Sequence, residues 1–380
     1  MPVPMRFLLV LVILLSGPVL SRAQSSTLTG TSRSMNPAIS VNGLFRGEVS
    51  RDDPSPEVNG FRIDGVEAQF SSIVDPFWSA DVLIGLHPGH GDQDTGADAG
   101  HGDGMVVDVE EAYIDGRELP AGMGLRLGKF ALPFGKHAPL HMHQFLFADA
   151  PAAIYTYLGD HLLSDTGVMV TLDAPLPWYS DVQVYGVSGQ AEPFDSLDNG
   201  LAFGARWMNM WDLTEDATLE VGGSFLQGPD ARYPGENQDV NFFGADLTWK
   251  WISSARTGGP AALVTVETVL PDYQGGGGNP WGWYALGRYR FHRNWWVGLE
   301  LGQADADFES IPEWGPGAGQ GLEQQADLRE YKINLTFAPS EFSFLRAGMV
   351  YYEDKLTGED DLRLIAQANF TIGSHPAHSY

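Results

Sequence analysis

The chain contains no cysteine, which excludes both a disulfide framework and a lipid-modified N-terminal cysteine. Beyond Ala23 it has no run of 18 or more apolar residues, so it offers no transmembrane helix. If the remaining chain resides in a membrane it must cross as strands closed into a barrel, because only helices and closed barrels satisfy every backbone group in lipid. Basic residues are scarce, with 22 Lys and Arg against 49 Asp and Glu and a formal net charge of −27. That balance denies the basic footprint that nucleic-acid binding needs, so no nucleic-acid partner is expected. The motifs G-x-S-x-G and H-E-x-x-H are both missing, and Gly275–Gly278 is not followed by G-K-[ST]. The expectation is a protein that is not an enzyme. Disorder is excluded as well, since 43% hydrophobic and 12% aromatic residues are too many for an unfolded chain.

What is present begins with a secretory signature. Met1–Ala23 carries Arg6, then the apolar stretch Phe7–Leu15, then small residues at Ser21 and Ala23 before Gln24. This is the pattern of a cleaved signal peptide. Its removal takes away Arg6 and Arg22 and no acid, moving the net charge from −27 to −29. Residues 24–36 are Ser/Thr-rich and aperiodic, and read as a flexible lead-in. Residues 37–380 read as a single all-β domain.

Within that domain, segments of about ten residues alternate apolar and polar, the period of a strand with two unlike faces. In Leu362–Ile372, Leu362, Leu364, Ala366, Ala368, Phe370 and Ile372 lie opposite Arg363, Ile365, Gln367, Asn369 and Thr371. Likewise Phe243, Ala245, Leu247, Trp249 and Trp251 lie opposite Gly244, Asp246, Thr248 and Lys250. Sixteen such strands are predicted, starting near Ala38, Phe61, Phe77, Met105, Met123, Gly167, Asp181, Leu201, Thr218, Val240, Ala261, Trp281, Trp295, Leu328, Phe342 and Leu362. Two are irregular. Phe61–Ser71 changes phase near Asp64–Gly65, which predicts a bulge. Val106–Asp115 sets Glu110 beside Glu111, so one of the two should face outward or lie at a rim.

The connections alternate in length. Asp75–Pro76, His292–Asn294 and Ala338–Glu341 are short, whereas His87–Gly104, Pro133–Thr166 and Asp305–Asp327 are long. Short turns at one end and long loops at the other are the habit of outer-membrane barrels. Aromatic clusters near strand ends fit interfacial girdles: Trp178–Tyr179, Trp207–Trp211, Trp249–Trp251, Trp281–Tyr284, Trp295–Trp296 and Tyr351–Tyr352. The expected fold is a transmembrane antiparallel β-barrel of about 16 strands, within 16–18, with short periplasmic turns and long extracellular loops. Its place is the outer membrane of a Gram-negative cell, with outer-membrane lipid around it.

Leu125–Pro151 reads LRLGKFALPFGKHAPLHMHQFLFADAP. Its Gly128-Lys129-Phe130, Pro133-Phe134-Gly135, His141/His143 pair and Asp149-Ala150-Pro151 resemble the signature of phosphate-selective porins of the O and P type. The segment is equally similar to the plug-less group labelled zinc-regulated outer-membrane receptors. Asn369–Tyr380 resembles endings in that group. The resemblance implies a plug-less diffusion barrel, monomeric or homotrimeric, for small hydrophilic solutes or ions, and it leaves the solute open.

Three sets of residues are candidates for function. Pro133–Thr166, the third long loop, is apolar enough to pack inside the barrel and carries Lys136, His137, His141, His143, Asp149, Asp160 and His161. These are expected to form a pore constriction against inward positions Arg206, Asp246, Lys250, Arg288, Arg290, Glu300, Lys332, Arg346 and Arg363. Charge is affordable there because the lumen is wet, while a central Arg or Lys on the lipid face costs roughly 2–4 kcal/mol. The inferred wall is rich in Arg and the acids crowd the loops, so ion preference stays open. In the second long loop His87, His90, Asp92, Asp94, Asp98, His101 and Asp103 combine imidazole with carboxylate, as zinc or another divalent cation would require. No other cofactor is expected. Passive conduction is the main reading. Metal handling through the His/Asp-rich loop and a soluble exported β-protein of lectin-like type are the alternatives.

Overall fold

The computed structural model describes residues 37–53, 59–88, 105–116, 119–159, 162–194, 200–231, 238–254, 258–274, 279–307 and 325–373. Sixteen antiparallel strands make one closed barrel. They are β1 (Ala38–Ser50), β2 (Gly60–Ile73), β3 (Trp78–Pro88), β4 (Met105–Gly116), β5 (Met123–Ala131), β6 (Ser164–Asp173), β7 (Tyr179–Val187) and β8 (Ala202–Thr214). The second half holds β9 (Ala217–Pro229), β10 (Asp239–Ile252), β11 (Ala261–Tyr273), β12 (Trp281–His292), β13 (Trp295–Asp307), β14 (Gln325–Ser340), β15 (Ser343–Asp354) and β16 (Asp360–Gly373). Each strand pairs with its sequence neighbours, and β1 pairs with β16 from Ser40 opposite Gly373 to Ser50 opposite Arg363. Closure leaves no unpaired edge.

The alternation seen in the sequence sets the two faces. Phe243, Leu247, Leu299, Leu301, Ile333, Leu335, Leu364 and Phe370 are exposed on the outside. Asp246, Thr248, Glu300, Glu330, Lys332, Asn334, Thr336, Gln367 and Asn369 are buried on the inside. A soluble sandwich would place these the other way round. Apolar side chains facing out and polar ones facing in is the economy of a barrel whose outer solvent is lipid.

Both irregular strands contain bulges. Leu44 opposes Gly65 while Phe45 opposes Ile63, which leaves Asp64 as the extra residue of β2. Leu83 opposes Glu111 while Ile84 opposes Val109, which makes Glu110 the extra residue of β4. The second bulge corrects the expectation that one of the adjacent acids must turn outward or lie at a rim. A bulge puts two residues against one and so re-aims a side chain. Glu110 and Glu111 therefore both reach the same inward-facing group, His141.

Two further expectations need correction. Tyr284 and Tyr352 do not join an outer girdle. Tyr284 is buried, with its hydroxyl donating to Glu267, and Tyr352 points its hydroxyl at Asp149. The wall is also not dominated by Arg. Buried carboxylates include Glu48, Glu67, Glu111, Asp165, Asp181, Asp246, Glu267, Glu300 and Glu330, against the buried bases Arg46, Arg206, Lys332 and Arg346. Several of these strand acids stand singly in the sequence, as Glu300 does between Leu299 and Leu301, and so are less conspicuous than the acids that crowd the loops.

Candidate functional site

The described part of the chain between β5 and β6, residues 132–159 and 162–163, runs through the barrel interior. Its ends are held together where Leu132 N–H donates to the Leu163 carbonyl at 2.7 Å. From that neck the segment reaches wall strands all round the ring. Gly135 N–H donates to Ser224 Oγ on β9 at 3.0 Å. The N–H groups of Lys136 and His137 both donate to Glu267 on β11, at 2.9 and 3.2 Å, and Tyr284 of β12 donates to the same carboxylate oxygen at 2.6 Å. Lys136 Nζ adds Glu220 of β9 at 2.7 Å.

Further along, β14 and β15 grip the loop through its carbonyl oxygens. Arg346 donates to the carbonyls of Phe147 and Phe145, each at 2.8 Å. Asn334 donates to the Leu146 carbonyl at 2.9 Å, and Lys332 Nζ to that of Ala150 at 2.8 Å. A fixed guanidinium fork suits two carbonyls at once, which an ammonium could not hold as rigidly. Asp149 then pairs with Arg46 of β1 at 2.6 Å. Burial alone would raise the Asp149 carboxyl, but Arg46 outweighs it and holds the group down to about 2.

One helical element, α1 (Ala152–Leu158), lies inside as well. The Tyr157 hydroxyl lies 2.9 and 2.7 Å from the carbonyls of Trp281 and Asp305 and shares its one proton between them, tying α1 to β12 and β13. Ala152 N–H donates to Glu330 at 2.6 Å. Room for the segment comes from glycines on the inward rows of the wall. A Cβ at position 282 would lie 2.8 Å from Ala153 and from Tyr157, and one at position 244 would lie 2.8 Å from the Phe134 ring. Phe130, Leu132, Phe134, Phe147, Ile154, Tyr157 and Leu158 pack with Tyr185, Leu226, Phe242 and Tyr284 into an apolar core within the barrel.

On the opposite wall the loop meets β2 and β4. His141 Nδ1 lies 3.1 Å from Glu110 and Nε2 lies 3.2 Å from Glu111. His143 Nδ1 is 2.5 Å from Glu67, and the rings of His141 and His143 stack with centroids 5.8 Å apart. Burial would push the His141 imidazole down, yet the two carboxylates overcome this and raise it to about 10. His137 has no such partners; burial, with Lys332 nearby, pushes it down to about 3.

The expected constriction residues are thus divided. Lys136, His137, His141, His143 and Asp149 lie with Glu300, Lys332 and Arg346 along the loop and the wall it touches. Arg206 and Asp246 form a bidentate pair at 2.7 and 3.0 Å, beside Ser224. By contrast, Lys250, Arg288 and Arg290 sit toward the short-turn end of β10 and β12. There Arg288 and Arg290 stack on Trp296, and Arg290 donates to the Gly259 carbonyl. Arg363 sits toward the long-loop end of β16, 2.6 Å from Asp361. Asp160, His161, His90, Asp92, Asp94, Asp98, His101 and Asp103 lie outside the described residues; His87 stands one residue before the end of β3. Reading the sequence missed Arg46, Glu67, Glu110, Glu111 and Glu267. The one available signal was the adjacent pair Glu110–Glu111, which broke the alternation.

A closed sixteen-stranded barrel with a loop folded inside it defines the porin-type fold. Comparison with known proteins agrees at that level. The chain is similar to an anion-selective porin from Comamonas acidovorans, with a TM-score of 0.56 and 8% identity over 89% of this chain and 100% of that one. It is similar to OprB of Pseudomonas putida, with a TM-score of 0.57 and 9% identity over 89% and 94%. The outer membrane channel DcaP of Acinetobacter baumannii gives a TM-score of 0.53 and 12% identity over 91% and 100%. An uncharacterized protein of Aquifex aeolicus strain VF5 is 25% identical over 373 residues, covering 85% of this chain and 71% of its own length. No family model matches the chain.

Proposed function

We propose that the protein is an outer-membrane diffusion channel for small hydrophilic solutes or ions, with residues 132–163 as its constriction. The observation that carries this reading is the passage of the loop through the barrel, hydrogen-bonded to inward-facing side chains of β1, β4, β9, β11, β14 and β15. An outer face of exposed apolar rows and an inner face of charged side chains suit a wall between lipid and water. Charged rings along such a path set which solutes pass. The likeness of Leu125–Pro151 to the phosphate-selective and zinc-regulated groups supports a plug-less barrel of that kind and leaves the solute open.

Planar-bilayer recording tests the proposal. The intact protein should give small, discrete conductance steps. Replacing 136–161 with a short Gly/Ser linker should raise the unit conductance several-fold while the barrel still shows heat-modifiable migration. A folded protein that conducts nothing in either form would overturn the reading.

A further inference from the structure

Where the loop meets β2 and β4, one member of the constriction, His141, stands among buried carboxylates. Glu67 of β2, Glu110 of β4 and His141 of the loop each offer one ligand atom, and these atoms all lie within 4.8 Å of one another. Glu67, His141 and His143 are buried, Glu110 is nearly so, and Glu111 stands directly behind. The arrangement is built by the fold at three separate places. The bulge at Glu110 turns two successive acids inward. Gly85 on β3 leaves open the space into which the Glu110 carboxylate extends, where any Cβ would collide with Oε1. The loop then delivers His141 from the far side of the lumen.

Two of the three groups also carry the partners that metal ligands usually have. Glu111 sits at Nε2 of His141, leaving Nδ1 toward Glu110. A carboxylate on the far nitrogen of a ligating imidazole fixes its orientation and raises its basicity. Glu67 is backed in the same way by His143 at 2.5 Å. Three carboxylates facing two imidazoles leave an excess of negative charge in a buried place, which a divalent cation would neutralise.

We propose that Glu67, Glu110 and His141 form a divalent-cation site inside the barrel, pinning the loop to β2 and β4. One imidazole and two carboxylates suit a borderline ion of the zinc or cobalt type over magnesium or calcium, which prefer oxygen alone. Three protein ligands leave further positions for water, so the site is of the exchangeable kind rather than a closed structural one. An ion bound there would take the place of the Nδ1 proton, which is released to water, while Nε2–H keeps its bond to Glu111. Metal ligands would then join the loop to two wall strands, where otherwise only hydrogen bonds and ion pairs do.

The test uses the full folded barrel in detergent, with Zn2+ titrated by calorimetry and Co2+ followed by visible absorption. A variant with His87, His90 and His101 all changed to Ala serves as background, so that ions held by the second long loop are not counted. One ion per chain is expected in that background, with cobalt bands showing nitrogen ligation. E110Q and H141A should each abolish the binding, and E111Q should weaken it roughly tenfold, the usual cost of losing an outer partner. Heat-modifiable migration reports folding for each variant; if H141A does not fold, E110Q and E67Q decide. Absence of stoichiometric binding in the background protein, or equal binding in folded E110Q, would overturn the site. Neither result depends on conductance, so the channel reading and this one fail separately.

Discussion

Lys332 concentrates the energetic logic of the interior in one side chain. It is fully buried between Glu300 at 2.8 Å and Glu330 at 2.9 Å, and it also donates to the loop carbonyl of Ala150. K332M would leave two carboxylates buried side by side with no cation, and breaking a buried pair of this kind costs about 3–5 kcal/mol. The expected outcome is a lower temperature for the heat-modifiable shift, read on a gel. Asp149 gives the matching prediction for pH. Its carboxyl is held down to about 2 against an ordinary 3.8, so the stability it lends is complete above 3.8 and lost as pH falls toward 2. The latch to Arg46 should therefore hold at pH 4 as at pH 7, with no rise in open-channel noise on that account. D149N should show, at neutral pH, the noise that the parent shows only in strong acid.

At the level of elements, what the sequence made legible follows from strand physics. A period of two is local, so every strand start could be placed within about three residues of its position, and the phase slip in β2 foretold the bulge at Asp64. The interior could not be read in the same way. Which wall residue meets which loop residue depends on contacts far apart in sequence, such as Arg346 with Phe147 or Lys136 with Glu267. Glu110 was misjudged because alternation assumes an unbroken ladder, and the bulge is where the ladder breaks. Alternation puts Gly244 on the polar face of β10 and says no more, whereas Gly244 and Gly282 are the recesses that receive Phe134 and α1. G282V should accordingly push α1 away from β12 without touching the outer face. We expect larger and noisier conductance, with protease sensitivity appearing within 152–158 in the otherwise protected barrel.

For the whole molecule, charge is the quantity that matters. The buried wall carries more carboxylates than bases, and the chain as a whole stands at −27. A charged, low-dielectric conduit raises the local concentration of counter-ions. In a salt gradient the reversal potential should take the sign of a cation-preferring channel, and the preference should weaken at high ionic strength as screening sets in. An anion-preferring potential would show that the partly exposed Arg62, Arg126 and Arg363 outweigh the buried acids.

The seam between β1 and β16 bears on how the molecule comes into being. Ser40 meets Gly373 across nearly the entire length of the domain. Bringing such distant points together costs on the order of 5 kcal/mol in chain entropy by (3/2)RT ln n, and no other strand pair in the ring spans so far. A nascent chain that has made β1–β15 is a curved sheet with two raw edges, and its apolar outer rows have no lipid yet to meet. Edges of that kind pair with any copy that comes near. Pairing of β16 along Ser40–Ser50 removes both of those edges at once, so the last strand of the ring decides whether the molecule is a sheet open to aggregation or a closed cylinder.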